Sequence, residues 1–156
     1  MDKRRDALAA AAKLALEIRG IAARTGDGAV CTMGSCVTKP GIVTSVVETA
    51  TVLLDQRHLD GEKLAAMLAE AKEASERFAG EEDVVVEWER IWRIDPILFD
   101  EALIGLADEA ITEVSGQSHR LPSGPLHDAA EVARAGVPTV MLFVQSLRGL
   151  SHTKVE

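Results

Sequence analysis

The sequence has few basic residues: 17 lysines and arginines stand against 25 aspartates and glutamates, which gives a formal net charge of −8. A nucleic-acid-binding surface needs a basic stripe that neutralises phosphates, and the sequence contains none. Long hydrophobic runs are absent as well. The longest strongly apolar run, Val140–Val144, falls far short of the roughly 20 residues that a membrane helix needs. We therefore expect neither nucleic acid nor a membrane as a partner.

Cysteine is scarce, with two residues in the chain. Cys31 and Cys36 lie five positions apart in a segment with a strand pattern, and an odd offset places them on opposite faces. A disulfide within that strand is therefore not expected, and reduced thiols predict a cytoplasmic protein. The basic residues and apolar stretch of Met1–Ile18 resemble a signal peptide, but charges at helical spacing indicate an amphipathic helix instead.

The common short catalytic motifs are also missing. There is no Gly-rich phosphate loop, no CxxC pair, no HExxH and no GxSxG. No three acidic or histidine residues cluster closely enough in the sequence to hold a metal ion. We therefore expect the chain to carry at most part of a site.

The first 95 residues of this 156-residue chain contain a succession of helical and strand patterns. They predict an order α-β-β-α-β, which is the ferredoxin-like βαββαβ arrangement without its first strand. Such a sheet has an open position beside a central strand, and proteins usually cover that kind of edge. The predicted elements are a helix over 2–24 capped by Asp2 and closed by Gly26, strands over 29–37 and 44–57, a helix over 61–78 capped by Asp60 and ended by Gly80, and a strand over 83–93.

A domain boundary is predicted at Asp95-Pro96, because the residue before proline resists helix. A helix over 99–114, a polar stretch over 115–125, a helix over 126–135 and a buried strand over 138–144 follow. Two helices before a continuous apolar strand are typical of an α/β layer with a parallel sheet. The predicted fold class is α/β (α+β), with domains over 1–95 and 96–156.

His127 and Asp128 lie in SGPLHDA, Ser123–Ala129, where a Gly-Pro turn leads into a predicted helix. A helix N-terminus favours anions, so this pair is a candidate for a catalytic role. The alternative is that Asp128 caps the helix and His127 is an ordinary surface side chain.

His152 follows a loop just past the predicted buried strand, where α/β proteins place ligands and metals. Glu156 lies four residues further on and would share a helical face with it. The alternative is a frayed terminus with one solvated histidine.

Arg57 ends the second predicted strand, two residues after Asp55 and on the same strand face. A surface ion pair within the strand is one explanation. The other is a guanidinium fork for a substrate carboxylate, which lysine could not replace.

Five stretches of the chain together resemble the hydantoinase/carbamoylase-type amidohydrolases of the M20 metallopeptidase-like group. This group includes N-carbamoyl-L-amino-acid hydrolases, allantoate amidohydrolases and β-ureidopropionases. The resemblance covers essentially the whole chain, and SGxxHDA followed by GxSH is its most specific part. The stretches, in order, are MDKRRDALAAAAKLALEI, CTMGSCVTKPG, LLDQRHLD, LPSGPLHDA and MLFVQSLRGLSHTKVE.

The resemblance implies an organisation for the chain. Residues 1–95 would form a ferredoxin-like lid and dimerisation domain without its first strand, and 96–156 the C-terminal portion of the catalytic domain. Most of the family's metal ligands and its general-base glutamate would lie outside this chain.

The resemblance also implies roles for individual residues. His152 matches a metal ligand, Arg57 matches the lid arginine that binds the substrate carboxylate, and His127 and Asp128 match positions beside the active site. Gly34 and Thr44 match substrate-side positions. At Thr44 the chain departs from the family pattern PGxxNVIPG, which has asparagine there. A threonine hydroxyl supplies only part of the hydrogen-bonding capacity of an asparagine amide.

The implied function is metal-dependent hydrolysis of a linear amide or ureido C–N bond in an N-carbamoyl amino acid-like substrate. The implied cofactor is a divalent metal (Zn, or else Mn, Ni or Co), not tightly bound by this chain alone, and the implied partner is a second copy bound through the lid. A non-catalytic lid-type dimerisation or regulatory module, and an M20-like peptidase or deacylase, are the alternatives.

Overall fold

The elements of the computed structural model are α1, Ala7–Thr25; β1, Val30–Lys39; β2, Thr49–Arg57; α2, Gly61–Glu81; α3, Glu101–Ser115; α4, Asp128–Arg134; and a short 3-10 turn, Leu147–Gly149. The structure describes residues 4–26, 28–149 and 154. The chain divides into two units, Met1–Pro96 and Ile97–Glu156. Mixed helices and a small sheet agree with the predicted α/β class at the coarse level.

Helix α1 begins five residues later than the sequence predicted. The side chain of Asp6 caps it by accepting a hydrogen bond from the Ala9 backbone N–H at 3.2 Å, whereas Asp2 lies outside the described residues. Arg4 holds this carboxylate through its Nη2, 2.6 Å from Asp6 Oδ2. The helix ends at Gly26, as predicted, where a φ of 65° suits glycine.

Replacing Asp6 with alanine is expected to lower the free energy of unfolding by about 1 kcal/mol, because the cap is lost. The Arg4 guanidinium holds the pKa of Asp6 below its ordinary value. A lowered folded-state pKa stabilises the protein above the unfolded pKa of about 3.9, and that contribution is lost as pH falls through the folded value.

Urea unfolding at neutral pH and through the acid range measures both effects. Asp6→Asn is the matched control, because asparagine caps helices equally well but does not titrate. It should keep most of the neutral-pH stability and lose this residue's acid dependence. An Asp6→Ala variant as stable as the unsubstituted chain would contradict the capping role.

Strands β1 and β2 form an antiparallel pair in which Val30 lies opposite Arg57 and Lys39 opposite Thr49. Every second side chain of β2 is partly buried against the helices, as the period-two pattern predicts. The register shifts between Met33 and Ser35, so β1 carries a bulge at Gly34.

The hydrophobic core of the first unit lies between α1, α2 and the inner face of the sheet. Partly buried side chains from β1 and β2 complete it, including Met33 and Leu54. Ion pairs from Lys13 to Glu81 and from Arg24 to Glu70, at 2.7 and 3.1 Å, join the two helices at the surface. The buried core residues are Leu14, Ile18, Ile21, Met67, Ala71 and Ala74.

Two predicted strands, over 83–93 and 138–144, do not form. Residues 82–86 do alternate between partly buried and exposed, as a period-two pattern predicts, but Trp88 and Arg90 of the predicted inward face are exposed. A strand also needs a hydrogen-bonded neighbour, and within the described residues the sheet contains β1 and β2 alone. The complete ferredoxin-like arrangement therefore stays a prediction.

The predicted helices of the second unit do form, with shifted ends. Asp100 caps α3 by accepting from the Leu103 backbone N–H at 2.9 Å, and Gly116 ends it with a φ of 80°. The Asp100 backbone N–H donates to the Thr139 carbonyl at 3.0 Å. This hydrogen bond joins the start of α3 to the apolar segment over 138–144. In the first unit, α2 continues through Gly80, which was predicted to end it.

Candidate functional site

Arg57 lies at the last position of β2 and pairs with Asp55. Its Nε and Nη2 lie 2.8 and 2.7 Å from the same Asp55 Oδ2. Both side chains are about half exposed, at 49% and 50%. An exposed pair of this kind adds little to stability.

His58 follows Arg57 and shapes the turn from β2 into α2. Its Nδ1 accepts a hydrogen bond from the Asp60 backbone N–H at 2.8 Å, and Asp60 caps α2 by accepting from Glu62 and Lys63. The backbone hydrogen bonds from Lys63, which contributes most, and from Glu62 lower the pKa of Asp60. The turn therefore fixes where β2 ends, and with it the position of Arg57.

The sequence assigned no role to His58. In the described part of the chain its Nε2 is buried and has no hydrogen-bond partner. The sequence signal that could have indicated this role is a histidine placed between a strand end and a capping aspartate.

Gly34 and Thr44 lie at different places along the hairpin. Gly34 occupies the β1 bulge, where a Cβ would meet nothing within 4 Å, so packing does not require glycine there. Thr44 is exposed in the loop that joins the strands. Because β2 is 9 residues long, its ends lie about 26 Å apart. The hairpin therefore does not bring Thr44 next to Arg57 within one chain.

His127 and Asp128 open α4 in the second unit, as the sequence predicted for a helix start. His127 is the N-cap residue and makes no side-chain capping bond, and Asp128 is already in the first turn. The interpretation of Asp128 as a side-chain cap is therefore wrong. Its charge instead lies near the positive end of the helix, and both side chains are exposed.

The described residues do not supply a metal site. They contain no group of three or more His, Cys, Asp or Glu side chains placed to hold an ion, whereas a catalytic zinc usually has three protein ligands. His152 and Glu156 lie outside the described residues, so the metal-ligand assignment of His152 stays a prediction. The donor set of 4–26, 28–149 and 154 does not by itself fit a divalent metal.

Both cysteines, Cys31 and Cys36, are free thiols. Burial raises the pKa of the Cys31 thiol, which also lies 3.1 Å from the Gln56 amide nitrogen. Cys36 is exposed. The two thiols do not pair with each other in the structure.

Comparison with known proteins establishes the family. The profile of peptidase family M20/M25/M40 matches residues 7–156. The chain belongs to this family. The M20 chain is 33% identical over all of its 156 residues to an N-carbamoyl-L-amino acid amidohydrolase of Geobacillus stearothermophilus. It is 26% identical, again over its whole length, to an allantoate amidohydrolase of Escherichia coli K12.

Comparison with solved structures agrees with the sequence relatives. The crystal structure of a hydantoinase/carbamoylase family amidase from Burkholderia vietnamiensis matches 99% of the M20 chain with a TM-score of 0.87 and 31% identity. The resemblance predicted from the motifs is thereby confirmed. The M20 chain spans 38% of each of the two curated relatives and 37% of the amidase. None of the helices in the described residues combines the length and the hydropathy of a membrane span.

Proposed function

We propose that the M20 chain is part of a metal-dependent amidohydrolase that cleaves a linear amide or ureido C–N bond of an N-carbamoyl amino acid-like substrate. The observation that carries this proposal is the match over residues 7–156 together with relatives named for carbamoyl-amino acid and allantoate hydrolysis. Because the chain spans 38% of those relatives, we propose that it is inactive alone.

Arg57 is proposed to bind the substrate carboxylate. Its guanidinium is half exposed at a strand end and already holds one carboxylate, that of Asp55, in a two-nitrogen contact. A substrate carboxylate could replace Asp55 with the same geometry. The exposed hydroxyl of Thr44 is proposed to bind the ureido group, and Gly34 to leave room for substrate.

His127 and Asp128 are proposed to lie beside the reacting carbonyl, and His152 to ligate the metal. The remaining ligands are proposed to come from protein outside this chain, since the described residues offer no cluster that fits a metal.

Residues 1–95 are proposed to form a ferredoxin-like lid through which two copies associate, and 96–156 part of the catalytic domain. Support comes from the likeness of the whole chain to a hydantoinase/carbamoylase family amidase. A cytoplasmic location is proposed from the two free thiols.

Two other functions have specific support. A non-catalytic dimerisation or regulatory module is favoured by the lack of a metal-binding cluster in the described residues. A peptidase or deacylase is favoured by the family description. The relatives named as amidohydrolases favour the carbamoyl substrate over a peptide.

The 156-residue chain with added zinc or manganese is expected to release no amino acid from an N-carbamoyl-L-amino acid, and to bind either metal weakly in calorimetry. The reason is that His152 is the one residue of this chain proposed as a metal ligand, and a single histidine cannot hold a divalent ion tightly. The Geobacillus stearothermophilus amidohydrolase serves as the active control.

A longer protein containing this chain separates the candidates further. Release of amino acid from the N-carbamoyl substrate, and not from a matched dipeptide, supports the amidohydrolase. The reverse preference supports the peptidase, and no turnover of either supports the module. Tight stoichiometric metal binding by the chain alone would contradict the proposed division of ligands.

A further inference from the structure

Asp55 contacts the guanidinium that is proposed to bind the substrate. Its Oδ2 atom lies 2.8 Å from Arg57 Nε and 2.7 Å from Arg57 Nη2. A carboxylate in this place uses the two donors that a substrate carboxylate would need for a planar contact. Asp55 therefore competes with the substrate for Arg57, and a substrate that binds there has to displace it.

A displaced Asp55 side chain remains beside the bound substrate. Asp55 and Arg57 are two positions apart on one strand, so their side chains leave the sheet on the same face and their Cα atoms lie about 7 Å apart. The backbone at Asp55 is held in the antiparallel ladder, where Thr32 lies opposite it. The carboxylate can therefore turn away from the guanidinium but stays close to it.

No second positive charge accompanies Arg57 on this face of the hairpin, as far as the described residues show. Lys39 shares the face but lies at the other end of the pair, about 26 Å away. Lys63 belongs to α2, on the helix side of the sheet, and interacts electrostatically with Asp60. The nearest residues that share the face with Arg57 and Asp55 are uncharged: Val30, Thr32 and Leu53.

The local charge limits what the Arg57 site accepts. Arg57 supplies one positive charge, whereas Asp55 and one substrate carboxylate together supply two negative charges. A second carboxylate on the substrate would add a further negative charge beside Asp55, and like charges at short range repel each other. Because Asp55 is half exposed, water and salt weaken this repulsion without removing it.

We propose that Asp55 is a specificity-determining residue that restricts the Arg57 site to substrates with a single carboxylate. N-carbamoyl amino acids with uncharged side chains are then preferred over those with acidic side chains. This inference rests on the proposed function, in which Arg57 binds the substrate carboxylate.

The first test compares N-carbamoyl-L-glutamine with N-carbamoyl-L-glutamate in a longer, active protein that contains this chain. The two substrates have nearly the same shape and differ by one charge. We expect kcat/KM to be higher for the glutamine derivative by about threefold, the scale of an interaction between half-exposed charges. Asp55→Asn is expected to abolish most of this preference and to lower KM for both substrates, because the competing charge is removed.

Asp95→Asn is the matched control. Asp95 Oδ1 lies 2.9 Å from Arg93 Nε and 2.7 Å from Arg93 Nη2, again two positions away along the chain. The substitution removes the same charge from the protein outside the proposed site. It should leave both KM values and the preference unchanged, which separates a local effect of Asp55 from a change in net charge.

A second test measures binding without turnover, on the 156-residue chain. A nuclear magnetic resonance titration follows the Nε–H signal of Arg57, with that of Arg93 as the internal reference. At equal ligand concentration and ionic strength, the glutamine derivative is expected to shift the Arg57 signal more than the glutamate derivative does. Asp55→Asn is expected to make the two shifts nearly equal.

The two tests separate this inference from the hydrolase proposal. An unchanged preference in the Asp55→Asn enzyme, or an Arg57 signal that responds equally to both ligands or to neither, would overturn the role of Asp55. A selective shift of Arg57 in the chain, together with no turnover of either substrate by the longer protein, would contradict the hydrolase proposal and support the role of Asp55.

Discussion

Replacing Arg57 with alanine in a longer, active protein that contains this chain is expected to raise KM at least tenfold for substrates that carry a carboxylate. Truncating one partner of a buried charge pair costs about 2–5 kcal/mol. Arg57 is about half exposed, so solvent screening reduces that cost. A tenfold change corresponds to about 1.4 kcal/mol, and steady-state kinetics measure it directly.

Arg93→Ala is the matched control for Arg57→Ala. Arg93 also pairs with an aspartate two positions away, Asp95, at 2.7 Å, so it reproduces the local ion pair outside the proposed site. Its loss should leave KM unchanged. Arg57→Lys should recover only part of the affinity, because an ammonium cannot make the planar two-nitrogen contact. Unchanged kinetics in Arg57→Ala would remove the carboxylate-binding assignment.

Replacing Met67 with alanine is expected to lower the free energy of unfolding by about 2–5 kcal/mol. Met67 lies in α2 with no exposed surface and packs in one cluster with Ile18 and Ile21 of α1. Truncation removes buried methylene and thioether groups and leaves a cavity at the contact between the two helices. Urea unfolding of the full chain, followed by circular dichroism, gives the difference.

Leu16→Ala is the control for Met67→Ala. Leu16 lies on α1 and is 72% exposed, so its truncation should change stability by less than about 0.5 kcal/mol. A Met67→Ala variant that loses no more stability than Leu16→Ala would show that the contact between α1 and α2 does not form the core.

Periodicity located the helices of the first unit because their apolar stripes are buried against each other. The residue at which α1 starts depends on a long-range contact, which the hydrophobic periodicity of the sequence does not show. The Ala7 backbone N–H donates to the Val47 carbonyl at 3.1 Å, and this long-range bond accompanies a start at Ala7 instead of Asp2. The local sequence offers two aspartates as caps, Asp2 and Asp6, and the tertiary contact favours the second.

Strand patterns report which way side chains point, not whether a neighbouring strand exists. That is why β1 and β2 were located while 83–93 and 138–144 were assigned wrongly. The same distinction applies to the candidate site. The pairing of Arg57 with Asp55 followed from their spacing, but the role of His58 in the turn depends on a three-dimensional contact with the Asp60 backbone.

Both tryptophans of the chain, Trp88 and Trp92, lie in the segment between α2 and α3, and the sequence has no tyrosine. Trp88 is 36% exposed and its indole is hydrogen-bonded to Ser75, whereas Trp92 is 67% exposed. Intrinsic fluorescence of this protein therefore comes almost entirely from one short stretch. Its emission would register the detachment of that stretch from α2 separately from the melting of the helices.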